Sequence, residues 1–251
     1  MAKGVAGQEG SMKSTSSKIF SGLARSYEKV LDYATLYQDR RWKVWVADRI
    51  AAGGGGLVLD VGSGTMVLEE RLARWKYRFV TIDLVPEMIM TGRKKRVPNV
   101  ALVMNGDAEY LPFSAQSFDS VISCYVPKYV DLRKFAGELA RVTKPGGVAV
   151  MYDFAKPTGI LAPFLELYIQ GGLRLAGLML GLMGKEESFT FRKLPEIIDN
   201  TSWDLRVEKT MENSGFELVS AKRLTGGAVF AYCGRRRERL RFPDVGIGSG
   251  A

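Results

Sequence analysis

An apolar strand that ends in a glycine-rich turn is the feature that most constrains the fold of this chain. Residues 57–65 read LVLDVGSGT, and a helical pattern over about 66–75 follows. Open parallel sheets bind nucleotide-like ligands at such turns, at the carboxyl ends of their strands. Glycine allows the tight turn and lets a ligand approach the backbone without a Cβ between them. Many purely structural turns also contain two glycines, so other positions must decide between the two interpretations.

The turn differs from two common phosphate-binding motifs. Val67 stands where the dinucleotide fingerprint has its third glycine, and the Gly-Lys-Ser/Thr of a P-loop does not follow. The sequence therefore favours neither a dinucleotide site nor a P-loop.

Acidic residues lie at or just after the ends of three of the predicted strands. Asp60 lies in the first, Asp83 ends the second about twenty residues later, and Asp107 follows the third. An acid after the second strand can accept hydrogen bonds from both hydroxyls of a ribose. Each aspartate alone could be a helix cap or a turn residue. Three of them at one edge of a sheet favour an adenosyl ligand.

Strand and helix patterns alternate from about residue 57 to 154, which predicts an α/β fold with a parallel sheet. The predicted strands cover 57–61, 78–83, 99–105, 118–124 and 147–154. Two helices are predicted within 19–50, a later helix over 203–214, and a closing hairpin from 216–221 and 228–233. We expect one domain over 19–234, between a disordered tail at 1–18 and a basic tail at 235–251.

The chain contains no histidine, which excludes a Ser-His-Asp triad, a histidine-based zinc site and a histidine general base. Its two cysteines lie in apolar runs without metal-ligand spacing, so we expect reduced thiols and no metal site. A secretory signal is not recognisable, which indicates a cytoplasmic protein.

A net charge of +9 favours anionic partners, and part of it lies in the arginine-rich run 235–241. An anionic membrane surface is one such partner, and a solvated tail is the alternative. Aromatic residues do not alternate with the basic ones, so a nucleic-acid partner is not favoured.

A strongly apolar stretch at 160–183 lies within a predicted helical insertion over 159–200. Glu166, Gln170 and Arg174 interrupt it, which argues against a membrane span. Two interpretations stay open: an interfacial helix or lid that contacts lipid, and a helical pair buried against the core.

The chain resembles the UbiE/MenG family of quinone C-methyltransferases from about residue 20 to 234. The run DAEYLPF at 107–113 matches the family pattern very closely, and LTGGAV at 224–229 is less common among methyltransferases in general. Similar segments, in order, lie at 20–28, 40–42, 83–88, 141–147 and 153–157.

The resemblance implies a class I methyltransferase fold: a Rossmann-like, seven-stranded, mostly parallel sheet whose last strand is antiparallel. It implies S-adenosylmethionine (SAM) as cofactor, with Asp107 reading the adenine amine. The implied cofactor-binding residues are Asp60, Gly62, Ser63, Gly64, Asp83, Leu84, Asp107, Ala108 and Ser123.

The implied reaction is methylation of a ring carbon of an isoprenoid quinol. We expect the enzyme to be cytoplasmic, and it could also associate peripherally with the inner face of the membrane. Two alternatives stay open: methyl transfer to another lipid or small molecule, and a basic RNA-binding protein on the same fold. The sequence also leaves open whether the chain forms a homodimer.

Four residues are the candidate catalytic groups. Lys128 stands where the family has an arginine near the reacting ring, and it could stabilise a phenolate. Tyr27 and Tyr125 could position the ring or relay a proton, or they could be packing residues. Asp153 is the remaining acid near a strand end.

Two further departures from the family lie beside the glycine turn. Met66 replaces the last glycine of its motif, and Val67 replaces an acid. We therefore expect the methionine part of the cofactor to be held differently.

Overall fold

The computed structural model describes residues 17–54, 56–182, 188–199 and 202–238, and a seven-stranded sheet forms its centre. The strands are β1 (Leu57–Val61), β2 (Arg78–Asp83), β3 (Val100–Asn105), β4 (Phe118–Cys124), β5 (Thr143–Phe154), β6 (Phe216–Leu224) and β7 (Val229–Arg236). Their spatial order is β3-β2-β1-β4-β5-β7-β6. The first five strands of this spatial order, β3-β2-β1-β4-β5, are parallel to one another. Strand β7 runs antiparallel to both β5 and β6. The predicted mixed sheet with an antiparallel last strand is confirmed.

Helices cover both faces of this sheet. They are α1 (17–23), α2 (Tyr27–Ala34), α3 (Asp39–Ala52), α4 (Val67–Arg71), α5 (Pro86–Arg93), α6 (Leu132–Val142), α7 (Ala162–Leu167), α8 (Leu173–Leu182), α9 (Ser188–Asp199) and α10 (Trp203–Asn213). The segment before the sheet therefore forms three helices rather than the two that the apolar spacing predicts.

Successive side chains of the central strands point into two different apolar clusters. In β1, Val58 packs into the cluster under α2 and α3, while Leu59 packs into the cluster under α6 and α10. Phe79 and Val80 of β2 divide in the same way. This alternation is the expected consequence of the two-residue period of a strand, and it produces a three-layer α/β/α arrangement.

Several elements begin or end away from their predicted positions. Helix α4 stops at Arg71, four residues before the predicted end near 75. Strand β5 begins at Thr143, before the predicted start at 147. Thr143 pairs with Phe118 and Val148 with Ser120, so the turn at 144–147 forms a register shift within the strand. Strand β7 continues to Arg236, past the predicted start of the basic tail, because residues 235 and 236 still pair with neighbouring strands.

The insertion has one buried and one exposed face. Ile169, Leu173 and Phe191 join the cluster under α2 and α3, as expected for a packed helical pair. Phe164 and Leu167 on α7 remain about 70% exposed, as expected for a surface that contacts lipid. None of the helices among the described residues combines the length and the apolar character needed to cross a bilayer.

The chain changes direction across the sheet between β1 and β4. It adds β2 and β3 on one side of β1, then returns to place β4 on the other side. In open α/β sheets, ligands bind in the crevice at the carboxyl ends of the strands at such a switch point. The topology therefore locates the candidate site beside the glycine turn.

Candidate cofactor cleft and adjoining apolar cavity

A solvent-open cleft with about 700 Å³ of empty space lies at this switch point. Six residues of the predicted cofactor set line it: Gly62, Gly64, Asp83, Leu84, Asp107 and Ala108. They come from the ends of three parallel strands, which the fold brings together although the sequence separates them by up to 46 residues.

The backbone of the glycine turn disfavours side chains at both of its glycines. Gly62 has a φ of +79°, and a Cβ there would lie 2.1 Å from Cγ2 of Val126. Gly64 has a φ of +56° and lines the cleft, so a Cβ there would take up ligand space near Tyr27 and Met88. The turn thus leaves room for a ligand against the bare backbone.

Asp83 is held in place by the glycine turn after β1 and by the loop after its own strand, β2. Its Oδ2 accepts from the Gly64 amide and its Oδ1 from the Val85 amide, each at 2.8 Å. Burial raises the pKa of Asp83, while these amide hydrogen bonds counteract the rise. A carboxylate oxygen has more than one acceptor position, so the fixed carboxylate can also accept from a vicinal diol.

The lining of the cleft also includes an acidic residue and apolar side chains that a planar base could contact. Asp107 and Ala108 line it together with the apolar side chains of Leu84, Val85 and Met88. The Asp107 Oδ1 accepts from the Glu109 amide at 2.9 Å, which fixes the carboxyl group. These residues are compatible with the adenosyl group that the sequence resemblance implies.

Three predicted cofactor residues do not line the cleft. Asp60 pairs with Thr81 inside the sheet rather than aligning with Asp83, so it lies beneath the turn. The Ser123 hydroxyl donates to the Val61 carbonyl at 2.8 Å and is fully buried. Ser63 belongs to the turn but is likewise absent from the cleft wall. Their predicted contacts with the cofactor stay predictions.

Asp60 has a partner that the sequence did not indicate. Glu69 on α4 is fully buried, and the two carboxyl groups interact with each other. Burial raises the pKa of Asp60 to about 7 and that of Glu69 well above its ordinary value. Burial therefore favours the protonated form of Glu69, which lies beside Asp60 beneath the turn.

Met66, which stands where the family has a glycine, adopts the left-handed backbone conformation that favours glycine. Its φ is +60°, and its side chain is almost fully buried. A Cβ on Gly92 would lie 2.9 Å from Cγ of Met66, so the small residue on α5 makes room for the methionine. The substitution therefore does not fill the cleft.

A second, apolar cavity with about 430 Å³ of empty space adjoins the cleft. The two spaces share four aromatic residues, which we call the aromatic collar: Phe20, Tyr27, Tyr125 and Tyr129. The remaining lining comes mostly from α1 and α2: Leu23, Val30, Leu31, Ala34, Lys128 and Phe154. Phe20 and Tyr129 were not predicted, because only the folded chain brings them beside Tyr27.

Lys128 is the cation in the lining of this apolar cavity. It is buried, and its ammonium group is paired with the equally buried carboxylate of Asp153. The same Nζ donates to the Tyr125 carbonyl at 3.3 Å and lies 4.3 Å from the ring centroid of Tyr129. Burial lowers the pKa of Lys128 and raises that of Asp153, while their mutual attraction opposes both shifts.

The two predicted tyrosines differ in how they are held. The Tyr125 hydroxyl donates to Oδ1 of Asp39 at 2.7 Å. Tyr27 makes an edge-to-face contact with Phe20, with ring centroids 6.1 Å apart. Burial raises the pKa of both phenols well above the ordinary value, so both stay protonated.

Comparisons with known proteins agree with this geometry. The model of the ubiE/COQ5 methyltransferase family matches residues 8–236. Demethylmenaquinone methyltransferase of Tropheryma whipplei (strain Twist) is 32% identical over 217 residues, which cover 84% of this chain and 87% of that protein. The Mycobacterium marinum enzyme of the same name is 31% identical over 222 residues, 88% of this chain and 93% of its own length.

A solved structure shows the same fold. Magnesium protoporphyrin IX methyltransferase from Synechocystis PCC 6803, with bound SAH, superimposes with a TM-score of 0.56 at 16% identity. The match covers 82% of this chain and 87% of that one.

The sheet order and the likeness to a solved methyltransferase show a class I methyltransferase fold, and the family match shows that the chain is a SAM-dependent methyltransferase. The family match is specific enough to go one step further. The chain belongs to the ubiE/COQ5 methyltransferase family, as the sequence resemblance predicted.

Proposed function

We propose that this enzyme transfers a methyl group from SAM to a ring carbon of a hydrophobic quinol, and that the quinol enters the apolar cavity. The observation that carries the proposal is the cavity itself, an apolar space that meets the cofactor cleft at the aromatic collar. The relatives named demethylmenaquinone methyltransferase support a quinol as acceptor.

In this proposal Asp83 holds the ribose, Asp107 faces the adenine, and the turn at Gly62 and Gly64 accommodates the rest of the cofactor. Bound SAM supplies a methyl group that is already electrophilic. The protein must align the acceptor carbon with that methyl group and exclude water. The collar is placed to do both, because its four aromatic residues line the two spaces at once.

Lys128 makes the acceptor ring more nucleophilic. A phenol with a pKa of about 10 becomes a strong carbon nucleophile when it loses its proton. An ammonium group has three N–H donors, and two of those on Lys128 are directed to Asp153 and the Tyr125 carbonyl. The third can donate to a developing phenolate in the apolar cavity, where the low local polarity strengthens the contact. Water of the solvent-open cleft takes up the phenol proton before methyl transfer and the ring-carbon proton after it.

A substitution that fills the apolar cavity tests this assignment. Ala34 is the last residue of α2 and lines the cavity. We expect Ala34→Phe to raise the KM for a short-chain demethylated naphthoquinol about ten-fold or more, because the new ring occupies acceptor space. The affinity for SAM, measured by calorimetry, should stay unchanged.

Ala51→Phe is the matched control, because Ala51 is an exposed residue of α3. The proposal would be wrong if Ala34→Phe and Ala51→Phe behaved alike, or if the wild-type enzyme bound SAM but methylated no quinol. Quinone profiles of a strain without this gene then identify the natural acceptor.

We also propose that the exposed face of the insertion rests on a membrane surface, where a long-chain quinol would be found. This face is formed by large apolar side chains that are at least half exposed: Leu161, Phe164, Leu167, Leu175, Leu178, Met179 and Leu182. An amphipathic surface of this kind lies in the interface without crossing it. The peripheral position at the inner face of the membrane depends on this proposal.

The charges of the insertion add little to such binding. Among its described residues, Arg174, Arg192 and Lys193 are matched in number by Glu166, Glu196 and Asp199. Arg235 and Arg236 donate to backbone carbonyls of the domain. We therefore assign any dependence on anionic lipid to the basic run 235–241, of which Arg239 and Arg241 lie outside the described residues.

Vesicle binding tests this second proposal. We expect the double variant Phe164→Ser/Leu167→Ser to lose co-sedimentation with phosphatidylglycerol vesicles, because it removes two exposed apolar anchors. Leu205→Ser is the control, since Leu205 is similarly exposed on α10.

Truncation after Glu238 should reduce only the salt-sensitive part of the binding, because screening weakens charge attraction. Unchanged vesicle binding by the variant Phe164→Ser/Leu167→Ser would contradict the proposal that the insertion rests on the membrane.

A further inference from the structure

A buried carboxylate outside both cavities binds one residue of the aromatic collar, Tyr125. Asp39, the first residue of α3, is fully buried. Its Oδ1 accepts from the hydroxyls of Tyr125, at 2.7 Å, and Tyr152, at 2.9 Å. Its Oδ2 is paired with the ammonium of Lys43 and accepts from Nη1 of Arg71 at 3.4 Å. Two cations and two phenols thus converge on one carboxylate.

The two tyrosines on Asp39 have different surroundings. Tyr125 follows β4 and lines both the cofactor cleft and the apolar cavity. Tyr152 lies within β5, is fully buried and lines neither space. The same carboxylate oxygen therefore anchors one ring that faces the proposed reaction site and one ring that does not.

Tyr125 has a backbone conformation that needs support. Its φ is +66°, in the left-handed region that residues other than glycine rarely adopt and that is enriched at active sites. Its amide donates to the Tyr152 carbonyl at 2.9 Å, and its ring lies against Phe154 with centroids 5.3 Å apart. The hydrogen bond to Asp39 fixes the far end of the ring, so both ends of this side chain are held.

The protonation states make this anchor stable. Burial alone would raise the pKa of Asp39, but the charge and hydrogen bonds of Lys43 and the two phenols lower it, so the carboxylate stays ionised. Burial, together with the Asp39 charge, keeps Tyr125 protonated. A neutral phenol that donates to a carboxylate is a stronger contact than a bond between two neutral groups.

We infer that Asp39 is a positioning residue for methyl transfer. It holds the Tyr125 ring at the collar, and thereby sets the separation between the cofactor in the cleft and the acceptor in the apolar cavity. This inference rests on the proposed function, because it takes the apolar cavity as the acceptor site. Asp39 acts through Tyr125 and touches neither cavity itself.

Two tyrosine substitutions separate positioning from simple stabilisation. Tyr125→Phe and Tyr152→Phe each remove one hydroxyl from Oδ1 of Asp39, so they should lower the melting temperature to a similar extent. Tyr125→Phe should also lower kcat by about 10- to 100-fold, because a small misplacement of reacting groups is costly. Tyr152→Phe should keep kcat within about three-fold. Equal effects on kcat, or a normal kcat for Tyr125→Phe, would overturn the inference.

Asp39→Asn completes the test as a double-mutant cycle. If Asp39 acts through Tyr125, Asp39→Asn should lower kcat strongly in the wild-type background and add little in the Tyr125→Phe background. Additive effects would overturn the inference. Should Asp39→Asn fail to fold because Lys43 loses its counter-charge, the comparison of the two tyrosine variants decides alone.

The assay uses whichever acceptor the wild-type enzyme methylates, together with calorimetry of SAM binding. An acceptor that is not a quinol would refute the proposed function, while the cycle would still report on Asp39. Additivity with a quinol acceptor would refute the role of Asp39 and leave the proposed function intact.

Discussion

Replacing Lys128 with methionine is expected to destabilise the protein by about 3–5 kcal/mol, because it leaves the buried Asp153 carboxylate without its cation. We also expect kcat to fall by about 10²- to 10³-fold, since the acceptor phenolate loses its charged donor. The affinity for SAM should change little, because Lys128 lines the apolar cavity and not the cofactor cleft. Denaturant unfolding, steady-state kinetics and calorimetry measure the three effects.

The loss of stability should depend on pH in a specific direction. Without Lys128, burial leaves the pKa of Asp153 raised relative to the unfolded chain. The folded variant must then either hold a buried charge or bind a proton, and the deficit grows as pH rises above the ordinary carboxyl pKa of about 4. Below that pH, where Asp153 is protonated in both the folded and the unfolded state, the variant should lie closest to the wild type.

The double variant Lys128→Met/Asp153→Asn separates the two consequences. Asparagine keeps an oxygen for the Phe154 amide, which donates to Asp153 at 2.7 Å, and removes the buried charge. Stability should therefore recover, since replacing a buried ion pair by uncharged groups is often nearly neutral. Turnover should stay low. If turnover recovered together with stability, the lysine would have only a structural role.

Local patterns were sufficient to predict the sheet and the cofactor cleft. The run that ends at Val61 reads as a strand because its apolar residues alternate between the two apolar clusters. Gly62 and Gly64 mark the turn because their φ values are positive. Asp83 follows the next strand, and parallel strands end at a common edge, so its position in the cleft also follows from the sequence.

Contacts between distant segments could not be predicted in this way. Asp39 lies 86 residues before the Tyr125 that it binds, and nothing in the local sequence marks it. Asp60 was expected at the edge of the sheet, but the register of β1 and β2 buries it two residues deeper than Asp83. The partner of Lys128 was equally hidden, since Asp153 lies on the neighbouring strand. Register and pairing decide such positions, and a single sequence does not specify them.

Replacing Asp83 with alanine is expected to lower the affinity for SAM about 10- to 100-fold. Hydrogen bonds to a charged group contribute about 1.5–3 kcal/mol, and this carboxylate is the proposed acceptor for the ribose hydroxyls. The substitution also removes the acceptor of the Gly64 and Val85 amides, so the glycine turn loses a support. Calorimetric titration with SAM measures the effect.

Asp119→Ala is the matched control for Asp83→Ala. Asp119 also accepts from a backbone amide, that of Leu57 at 2.8 Å, and it pairs with Lys144 at 2.6 Å. Leu57 begins β1, so this contact lies at the opposite end of the sheet from the cleft. Both variants should lose some stability, because each leaves a backbone amide without its acceptor. Only Asp83→Ala should lose SAM affinity. Equal affinities in the two folded variants would show that Asp83 supports the turn without holding the ribose.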